Sequence, residues 1–419
     1  MLRTNTLELK PNKTQQRILK VMLVRSSAMW NIGNYQRRQA FFDKEIKNPS
    51  YSSQCKDLKT IPLYKELGSA YSQQILRKLD KSWQSFWNSL KSDNIDHNVS
   101  IPDYFKNYTT NQTLPKLLIC RNDCYRIDDR YIYISCSKDL KQQYGIKGLL
   151  KIRYNGVRKW KGKQKAMEIK YIPHIKKFYA YQTEEVDNIP IEIKEANVCS
   201  IDLGIKRYMS AYIKNGIDIN LIYDSEHIFE EYSKITSKIA SYQAIAKKDN
   251  EKYTTKRINR MFLKRCRKLT NYMNNIIAHL FRKLKQYKVS KVIIGDLKGI
   301  RDAKLPEYFR NKNKINQMIQ NFWSFDIFKK KIENKCEEFG IELIIINERG
   351  TSSTCPSCGI KVKPNDRSFT CSHCGYKNDR DVVGSINILK KYYHDHHPNA
   401  DDEIGVENHP VVSKVLIES

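Results

Sequence analysis

The sequence predicts a protein of several domains, in which an α+β half is followed by an α/β half. Between residues 110 and 185, short β-branched and aromatic segments separated by turn residues indicate a small antiparallel barrel or sheet. From Val198 onward, apolar strand segments alternate with helical segments, which is typical of α/β domains. Two Cys-x-x-Cys pairs late in the chain add a small metal-stabilised element. With 419 residues, the chain is long enough for two or three domains.

Helices are predicted on the amino side of the strand-rich region. Residues 11–40 and 61–95 carry apolar side chains at three- and four-residue steps. Within the strand-rich region, aromatic side chains are interleaved with basic ones, and the candidate nucleic-acid contacts there are Arg153, Tyr154 and Arg158. Such a pattern fits a surface that grips a nucleic-acid backbone and stacks bases, and it fits a solvated strand face equally well.

Basic residues dominate the charge of the chain. Lys and Arg number 75 against 45 Asp and Glu, which gives a formal net charge of +30. A charge of that size repels itself and predicts a polyanionic partner. The densest basic segment lies in a predicted helical region, residues 226–287. Nucleic-acid contact is favoured there over a merely solvated face, because solubility requires fewer charges. The candidate contacts are Lys247, Lys248, Lys256, Arg257, Arg260, Lys264, Arg265 and Lys268.

The chain shows no signal for membrane insertion or secretion. It has no run of ~18 apolar residues, so no spanning helix and no membrane partner are predicted. The amino terminus lacks the apolar core of a signal peptide. The eleven cysteines are therefore expected to be thiols in a reducing compartment, four of which bind a metal ion.

Those four cysteines are Cys355, Cys358, Cys371 and Cys374. Two Cys-x-x-Cys pairs separated by a short loop match the tetrahedral demand of Zn²⁺. Four thiolates leave no open position for a reacting water molecule. The zinc ion is therefore expected to be structural.

Acidic residues mark a second metal site of a different kind. From Val198, the predicted order is three strands, helix, strand, helix, strand, helix, which is the order of an RNase H-like domain. Asp202, Asp296 and Glu348 lie at strand ends in this order, and Asp381 enters the last helix. In such sheets the ligand site lies at the carboxyl ends of neighbouring strands. Carboxylates gathered there can hold two Mg²⁺ ions ~3.5–4 Å apart, which suits phosphodiester hydrolysis.

Longer motifs around these residues resemble one family. The segments are SIDLGIKRYMS (200–210), VIIGDLKGI (292–300), QNFWSFDIF (320–328), TSSTCPSCG (351–359) and FTCSHCGYKNDRDVVGSINIL (369–389). Together they resemble TnpB, the RNA-guided nuclease encoded by insertion sequences, which is related to type V CRISPR effectors and to the Fanzor proteins. The amino half resembles the family more loosely, in LKPNKTQ, QQILRKLDKSW and SIPDYFKNY.

The resemblance implies a particular division of the chain. A RuvC-like nuclease domain of RNase H type would contain an inserted zinc ribbon, and a wedge-like β-barrel would contain a helical recognition insert. The expected bounds are 1–10 and 110–190 for the barrel, 11–109 for the insert, 196–349 and 378–395 for the nuclease domain, 350–377 for the ribbon, and 396–419 for a flexible tail.

The resemblance also implies a function. The protein would be an RNA-guided DNA endonuclease associated with a transposable element, using two Mg²⁺ ions for catalysis and Zn²⁺ for structure. Its partners would be a guide RNA and double-stranded target DNA, bound as a monomer or as a dimer on the RNA. A prokaryotic protein would act in the cytoplasm at the nucleoid, and one from a eukaryote or its virus would act in the nucleus. By the same resemblance, Asp202 is the first catalytic carboxylate and Asp381 is the last.

One motif departs from the family. The usual Glu-Asp-Leu is Gly295-Asp296-Leu297 here, so the middle catalytic glutamate is missing from its place. Asp296 cannot replace it, because adjacent residues of a strand point to opposite faces. Glu348, at the end of the neighbouring strand, is the better candidate. If Glu348 does not act as the catalytic glutamate, the alternative is a nuclease-deficient, RNA-guided DNA-binding transcriptional repressor.

Smaller departures fall next to Asp381. Val383 stands where the family often has Asn, and Gly384-Ser385 replaces Ala-Ala. Asp379 is interpreted as a flank of the zinc ribbon or as a helix N-terminal charge rather than a catalytic ligand.

Overall fold

In a computed structural model, the chain forms two compact units, residues 1–187 and 188–419. Each unit has its own sheet and its own core, which confirms the prediction of a mixed, multidomain protein. The structure describes all residues except 92–98, 191–196, 205–206, 217, 251–252, 297–321, 323, 363–366, 397–408 and 417–419.

A seven-stranded antiparallel sheet organises the first unit, in the order β2-β6-β7-β1-β5-β4-β3. Its strands are β1 Leu2–Leu9, β2 Leu117–Cys120, β3 Tyr125–Ile127, β4 Tyr131–Ile134, β5 Leu150–Asn155, β6 Lys163–Ile172 and β7 Lys177–Glu185. Gln164 on β6 donates to the carbonyls of Asn122 and Tyr125, so β6 lies close to the start of β3 at the other end of the strand order. The described residues show no backbone pairing between β2 and β3, so full closure into a barrel stays a prediction.

Five helices belong to this unit: α1 Lys13–Phe42, α2 Tyr51–Leu58, α3 Pro62–Leu67, α4 Ser69–Leu90 and α5 Lys138–Tyr144. Asn12 is the N-cap of helix α1 and forms a capping box with Gln15. Helix α4 buries the apolar stripe predicted from its spacing, including Ile75, Leu79 and Trp83. Part of the predicted helical segment 61–95 lies outside the described residues.

Two of the predicted nucleic-acid contacts in this unit have structural roles instead. Tyr154 is buried in the core, and its hydroxyl donates to the carbonyl of Asp128 at 2.7 Å. Arg158 pairs with the fully buried Glu184, with Nε 2.9 Å from the carboxylate. The prediction that Tyr154 stacks on bases is therefore wrong. Arg158 neutralises a buried charge, and Arg153 is exposed.

A six-stranded mixed sheet organises the second unit, in the order β12-β11-β8-β9-β10-β15. Its strands are β8 Val198–Asp202, β9 Arg207–Lys214, β10 Ile219–Asp224, β11 Lys291–Asp296, β12 Glu342–Asn347 and β15 Val411–Val415. Strands β8, β11 and β12 run parallel, whereas β9 is antiparallel to both of its neighbours. The carboxyl ends of β8, β11 and β12 therefore lie at one edge of the sheet.

Helices cover both faces of this sheet. Helices α7 Lys256–Gln286 and α8 Phe325–Phe339 pack on one face, and α9 Arg380–His396 packs on the other. A two-stranded hairpin, β13 Ser368–Thr370 with β14 Lys377–Asp379, comes just before α9. Residues 315–321 and 323 of the helix predicted over 315–339 lie outside the described residues.

The basic helical region predicted over 226–287 consists of two helices, α6 Glu226–Asn250 and α7. Helix α7 has its own N-cap, because the Thr255 side chain accepts from the backbone N–H of Ile258. Ile239 and Ala246 of α6 belong to the same apolar cluster as Ile258 of α7. The two helices therefore pack against each other as a hairpin.

The prediction of a flexible tail over 396–419 is wrong at its end. Strand β15 pairs in parallel with β10, and the N–H of Val411 donates to the carbonyl of Asp218 at 2.8 Å. Strand β15 has only five residues, and its first four are exposed, so its sequence lacks the alternation of buried and exposed residues that would predict a strand. The pairing satisfies backbone groups of β10 that would otherwise form a sheet edge.

No helix among the described residues is both long enough and apolar enough to cross a membrane.

Candidate functional site

The four predicted zinc ligands come together between β12 and α9. The sulfur atoms of Cys355, Cys358, Cys371 and Cys374 all lie within 4.8 Å of one another. Each pair is followed by a glycine at positive φ, Gly359 at +74° and Gly375 at +77°. Backbone N–H groups of Cys374 and His373 hold the pKa of the Cys371 thiol at about 6, which favours the thiolate form. The cluster thus has the ligand set of a structural zinc site.

Helix α9 fixes this ribbon in place. The buried Asn387 side chain donates to the carbonyls of Thr351 and Thr354 at 2.6 and 2.7 Å. Lys390 donates to the carbonyl of Pro356 at 2.6 Å. Movement of the cysteine loop is thereby coupled to the helix that carries Asp381.

The three predicted carboxylates lie at the same carboxyl edge of the sheet. Asp202 is the last residue of β8, Glu348 follows the end of β12, and Asp381 lies in the first turn of α9. Burial raises the pKa of Asp202 well above its usual range, and the charges of Glu348 and Asp381 raise it further. Glu348 and Asp381 therefore both act electrostatically on Asp202.

Glu348 occupies the space left by Gly295. In the pairing of β11 with β12, Gly295 is opposite Ile346 and Asp296 is opposite Asn347. A Cβ atom added to Gly295 would overlap Oε2 of Glu348 and would lie 2.9 Å from its Cβ. The carboxylate of Glu348 thus lies where a side chain at position 295 would begin.

Asp296 points elsewhere, as expected from strand alternation. Its Oδ1 lies 3.0 Å from Nζ of Lys329 on α8, so Asp296 forms an ion pair with that helix while its charge still acts on Glu348.

A second glycine makes room for Asp202. A Cβ atom added to Gly384 of α9 would overlap Oδ2 of Asp202 and would lie 2.9 Å from its Cγ. Only a residue without a side chain allows the helix to come this close to β8.

The electrostatics of the site favour a bound cation. Oε2 of Glu348 and Oδ2 of Asp381 are buried without any hydrogen-bond partner among the described residues. Burial and the charge of Asp296 raise the pKa of Glu348 to about 7, and burial and Asp379 raise the pKa of Asp381. Buried oxygens that lack hydrogen-bond donors and lie near other negative charges are suitable ligands for a hard divalent ion. Among the described residues, only the four cysteines converge within 4.8 Å, so the carboxylates are spread more widely than the zinc ligands.

Two arginines and a further acid surround Asp381. Nη1 of Arg207 lies 3.5 Å from Oδ2 of Asp381, and Nη1 of Arg367 lies 3.6 Å from it. Arg207 also pairs closely with Asp379, whose Oδ1 accepts from the backbone N–H of Asp381 at 3.0 Å. Sequence reasoning missed both arginines, and the only local signal for Arg207 was its place in the motif that begins with Asp202.

Comparison with known proteins places the chain in a family. A model of the probable transposase family matches residues 180–301, and a model of the Cas12f1-like TNB domain matches residues 325–388. TnpB-like protein ORF457 of Acidianus two-tailed virus is 28% identical over 424 residues, which cover 93% of this chain and 86% of that protein. TnpB-like protein MJ0751 of Methanocaldococcus jannaschii is 30% identical over 205 residues, which cover 46% of this chain and 69% of that protein. The chain belongs to the TnpB-like family.

Among solved structures, the mini-RNA-guided endonuclease CRISPR-Cas_phi3 aligns over 93% of this chain and 92% of its own. The identity is 10% and the TM-score is 0.42. A TM-score this low does not establish a common arrangement of domains.

In this TnpB-like chain, the residues near Asp381 that differ from the family pattern are buried. Val383, which replaces a common Asn, is fully buried in the apolar cluster of the ribbon with Phe369 and Tyr376. Ser385 is also fully buried, and it bonds to polar groups of the sheet. The amide lost at position 383 is thus replaced by apolar contact.

The basic residues of the TnpB-like helix hairpin divide into two groups. Arg265 lies 4.7 Å from the Tyr232 ring centroid, and Lys268 pairs with Glu231 at 2.7 Å, so both charges join α7 to α6. The exposed residues of the predicted set are Lys247, Lys248, Lys256, Arg257, Arg260 and Lys264. Nucleic-acid contact by the exposed group stays a prediction.

Proposed function

We propose that this TnpB-like protein is an RNA-guided DNA endonuclease with a relocated catalytic glutamate. The observation that carries the proposal is the placement of Glu348 over Gly295, with a buried and unpartnered oxygen. The family's glutamate is absent at position 295, and Glu348, just after the neighbouring strand, places a carboxylate oxygen where the side chain of residue 295 would begin. We assign residues 196–349 and 378–395 to a RuvC-like nuclease domain on this basis.

Asp202, Glu348 and Asp381 would hold two Mg²⁺ ions. When bound, the ions supply an activated water molecule and stabilise the leaving oxygen of the phosphodiester. The protein's own contribution is to hold three carboxylates fixed on β8, β12 and α9 before the substrate arrives. The four cysteines would hold Zn²⁺, which ties the chain between Glu348 and Asp381 to α9.

Sequence recognition would come from a guide RNA paired with one strand of duplex DNA. Membership in the TnpB-like family supports this partner class. The net charge of +30 supports it as well, because a nucleic-acid backbone neutralises such a charge. Recognition of a short adjacent DNA motif and association with a transposable element belong to the same proposal.

The test uses the purified ribonucleoprotein, its guide and a library of adjacent DNA motifs in Mg²⁺. We expect the wild type to cut matched duplex, and Asp202→Ala to abolish cutting. Glu348→Gln should lower the cutting rate by at least about 100-fold and leave guided DNA binding intact. Even the loss of a residue that only supports a metal ligand typically costs 10–100-fold.

Glu342→Gln is the matched control for Glu348→Gln. Glu342 lies at the opposite end of β12, where it pairs with Lys291, so its loss should leave cutting unchanged. Cutting by Asp202→Ala would refute the nuclease proposal. Guided binding by the wild type without cutting at any adjacent motif would establish the repressor alternative instead.

A further inference from the structure

Asp379 makes two contacts, and only one of them is that of an ordinary helix cap. Its Oδ1 accepts from the backbone N–H of Asp381 at 3.0 Å, which caps the start of α9. Its Oδ2 pairs closely with Nη1 of Arg207 on β9. One carboxylate therefore anchors the helix that carries Asp381 and holds the arginine that lies next to Asp381.

Arg207 is close to Asp381 and does not hydrogen-bond to it. The arginine side chain is 11% exposed, and its Nη1 lies 3.5 Å from Oδ2 of Asp381. That oxygen is buried and has no hydrogen-bond partner among the described residues. The hydrogen bond from Nη1 goes to Asp379 instead.

Whether Arg207 donates its hydrogen bond to Asp379 or to Asp381 affects how well Asp381 can bind a cation. A guanidinium that donated to Oδ2 of Asp381 would occupy the lone pair that a divalent ion requires, and its positive charge would repel the ion. Arg367 approaches the same oxygen to 3.6 Å. Both arginines thus lie within ion-pair distance of this oxygen, and neither donates a hydrogen bond to it.

We propose that Asp379 is a positioning residue that holds Arg207 away from Asp381, so that Oδ2 of Asp381 remains available to a divalent cation. The inference rests on the proposed function, because it assumes that Asp381 is a metal ligand. It gives Asp379 a role in cation binding beyond capping the helix.

Asp379→Asn separates this role from capping. Asparagine is as good an N-cap as aspartate, so the bond to the N–H of Asp381 can persist. The amide carries no negative charge, so Arg207 loses its ion pair and turns to the neighbouring carboxylate. Replacing Arg207 as well, in Asp379→Asn/Arg207→Gln, removes the competitor.

The measurement is divalent-ion binding by the zinc-loaded protein, followed by calorimetry and by the Mg²⁺-dependent rise in melting temperature. We expect Asp379→Asn to weaken Mg²⁺ binding about 10-fold or more, as for loss of a residue that orients a metal ligand. Arg207→Gln alone should bind Mg²⁺ at least as well as the wild type. The double variant should recover most of the loss, which a purely structural defect would not allow.

Asp395→Asn is the matched control, because Asp395 lies at the exposed far end of the same helix. It should bind Mg²⁺ like the wild type. Unchanged binding by Asp379→Asn, or a double variant as weak as Asp379→Asn, would overturn the role of Asp379 alone. If the wild type shows no Mg²⁺ binding that Asp381→Ala removes, the proposed function fails together with this inference.

Discussion

Gly295 and Glu348 form a complementary pair at the scale of single residues, since the side chain of one fills the space left by the other. Gly295→Ala adds one methyl group, and that group would overlap the Glu348 carboxylate. We expect the variant to lose cutting about as severely as Glu348→Gln while it keeps guided binding. Cleavage kinetics measured beside DNA-binding assays check this.

The reciprocal variant tests the same pair in the other direction. Gly295→Glu combined with Glu348→Ala returns the acid to β11, and we expect it to recover part of the cutting lost in Glu348→Ala. The added methyl group overlaps the Glu348 side chain, so Gly295→Ala should also lower the melting temperature, by an overpacking cost of about 1–3 kcal/mol. Full cutting by Gly295→Ala would show that Glu348 does not act from its observed place.

Sequence reasoning reached some of these residues and missed others for physical reasons. Alternation along a strand favours Glu348 over Asp296 as the candidate, and the structure places Oε2 of Glu348 against Gly295. The same alternation would have placed Tyr154 with the buried Leu150 and Ile152, so that error was avoidable. Arg207 and Asp379 are 172 residues apart in the chain, and no local pattern predicts such a contact.

At the scale of elements, a buried polar network attaches α9 to the sheet. The Asn220 side chain of β10 donates to Oγ of Ser385 at 2.7 Å, and Oγ of Ser210 on β9 donates to Asn220 at 2.9 Å. Ser200 of β8 donates to the carbonyl of Ser385 at 2.6 Å. Three strands thus fix the helix one residue beyond Gly384, where it meets Asp202.

Ser385→Ala should destabilise the protein more than the loss of one hydroxyl suggests. It leaves the fully buried amide of Asn220 without a partner, which typically costs about 1–3 kcal/mol. Adding Asn220→Val removes the unpaired amide, so the double variant should lose less stability than the sum of the losses in the two single variants. Thermal unfolding of the zinc-loaded protein measures this. Strictly additive losses would mean that the network is not a unit.

Helices and strands were predicted well where their hydrophobic pattern runs over many residues, and poorly where it covers only a few. The stripe of α4 and the strand order from β8 to β12 follow from periodicity over many residues. The separate start of α7 depends on one threonine cap, and β15 depends on a partner strand far away in sequence. A five-residue exposed strand carries no information of its own about that partner.

At the scale of the whole molecule, the net charge of +30 predicts a strong, salt-dependent attraction to the nucleic-acid partner that we propose. Lys256 and Lys264 are exposed on α7, so Lys256→Gln/Lys264→Gln should weaken binding to matched and unmatched RNA alike. Two lost phosphate contacts should reduce the slope of log affinity against log salt by about 1.4. Lys234→Gln/Lys330→Gln is the control with the same change in charge, because both lysines already pair with glutamates. Titrations over a range of salt concentrations decide between them. Equal losses in the two variants would mean that total charge, and not the α7 surface, governs binding.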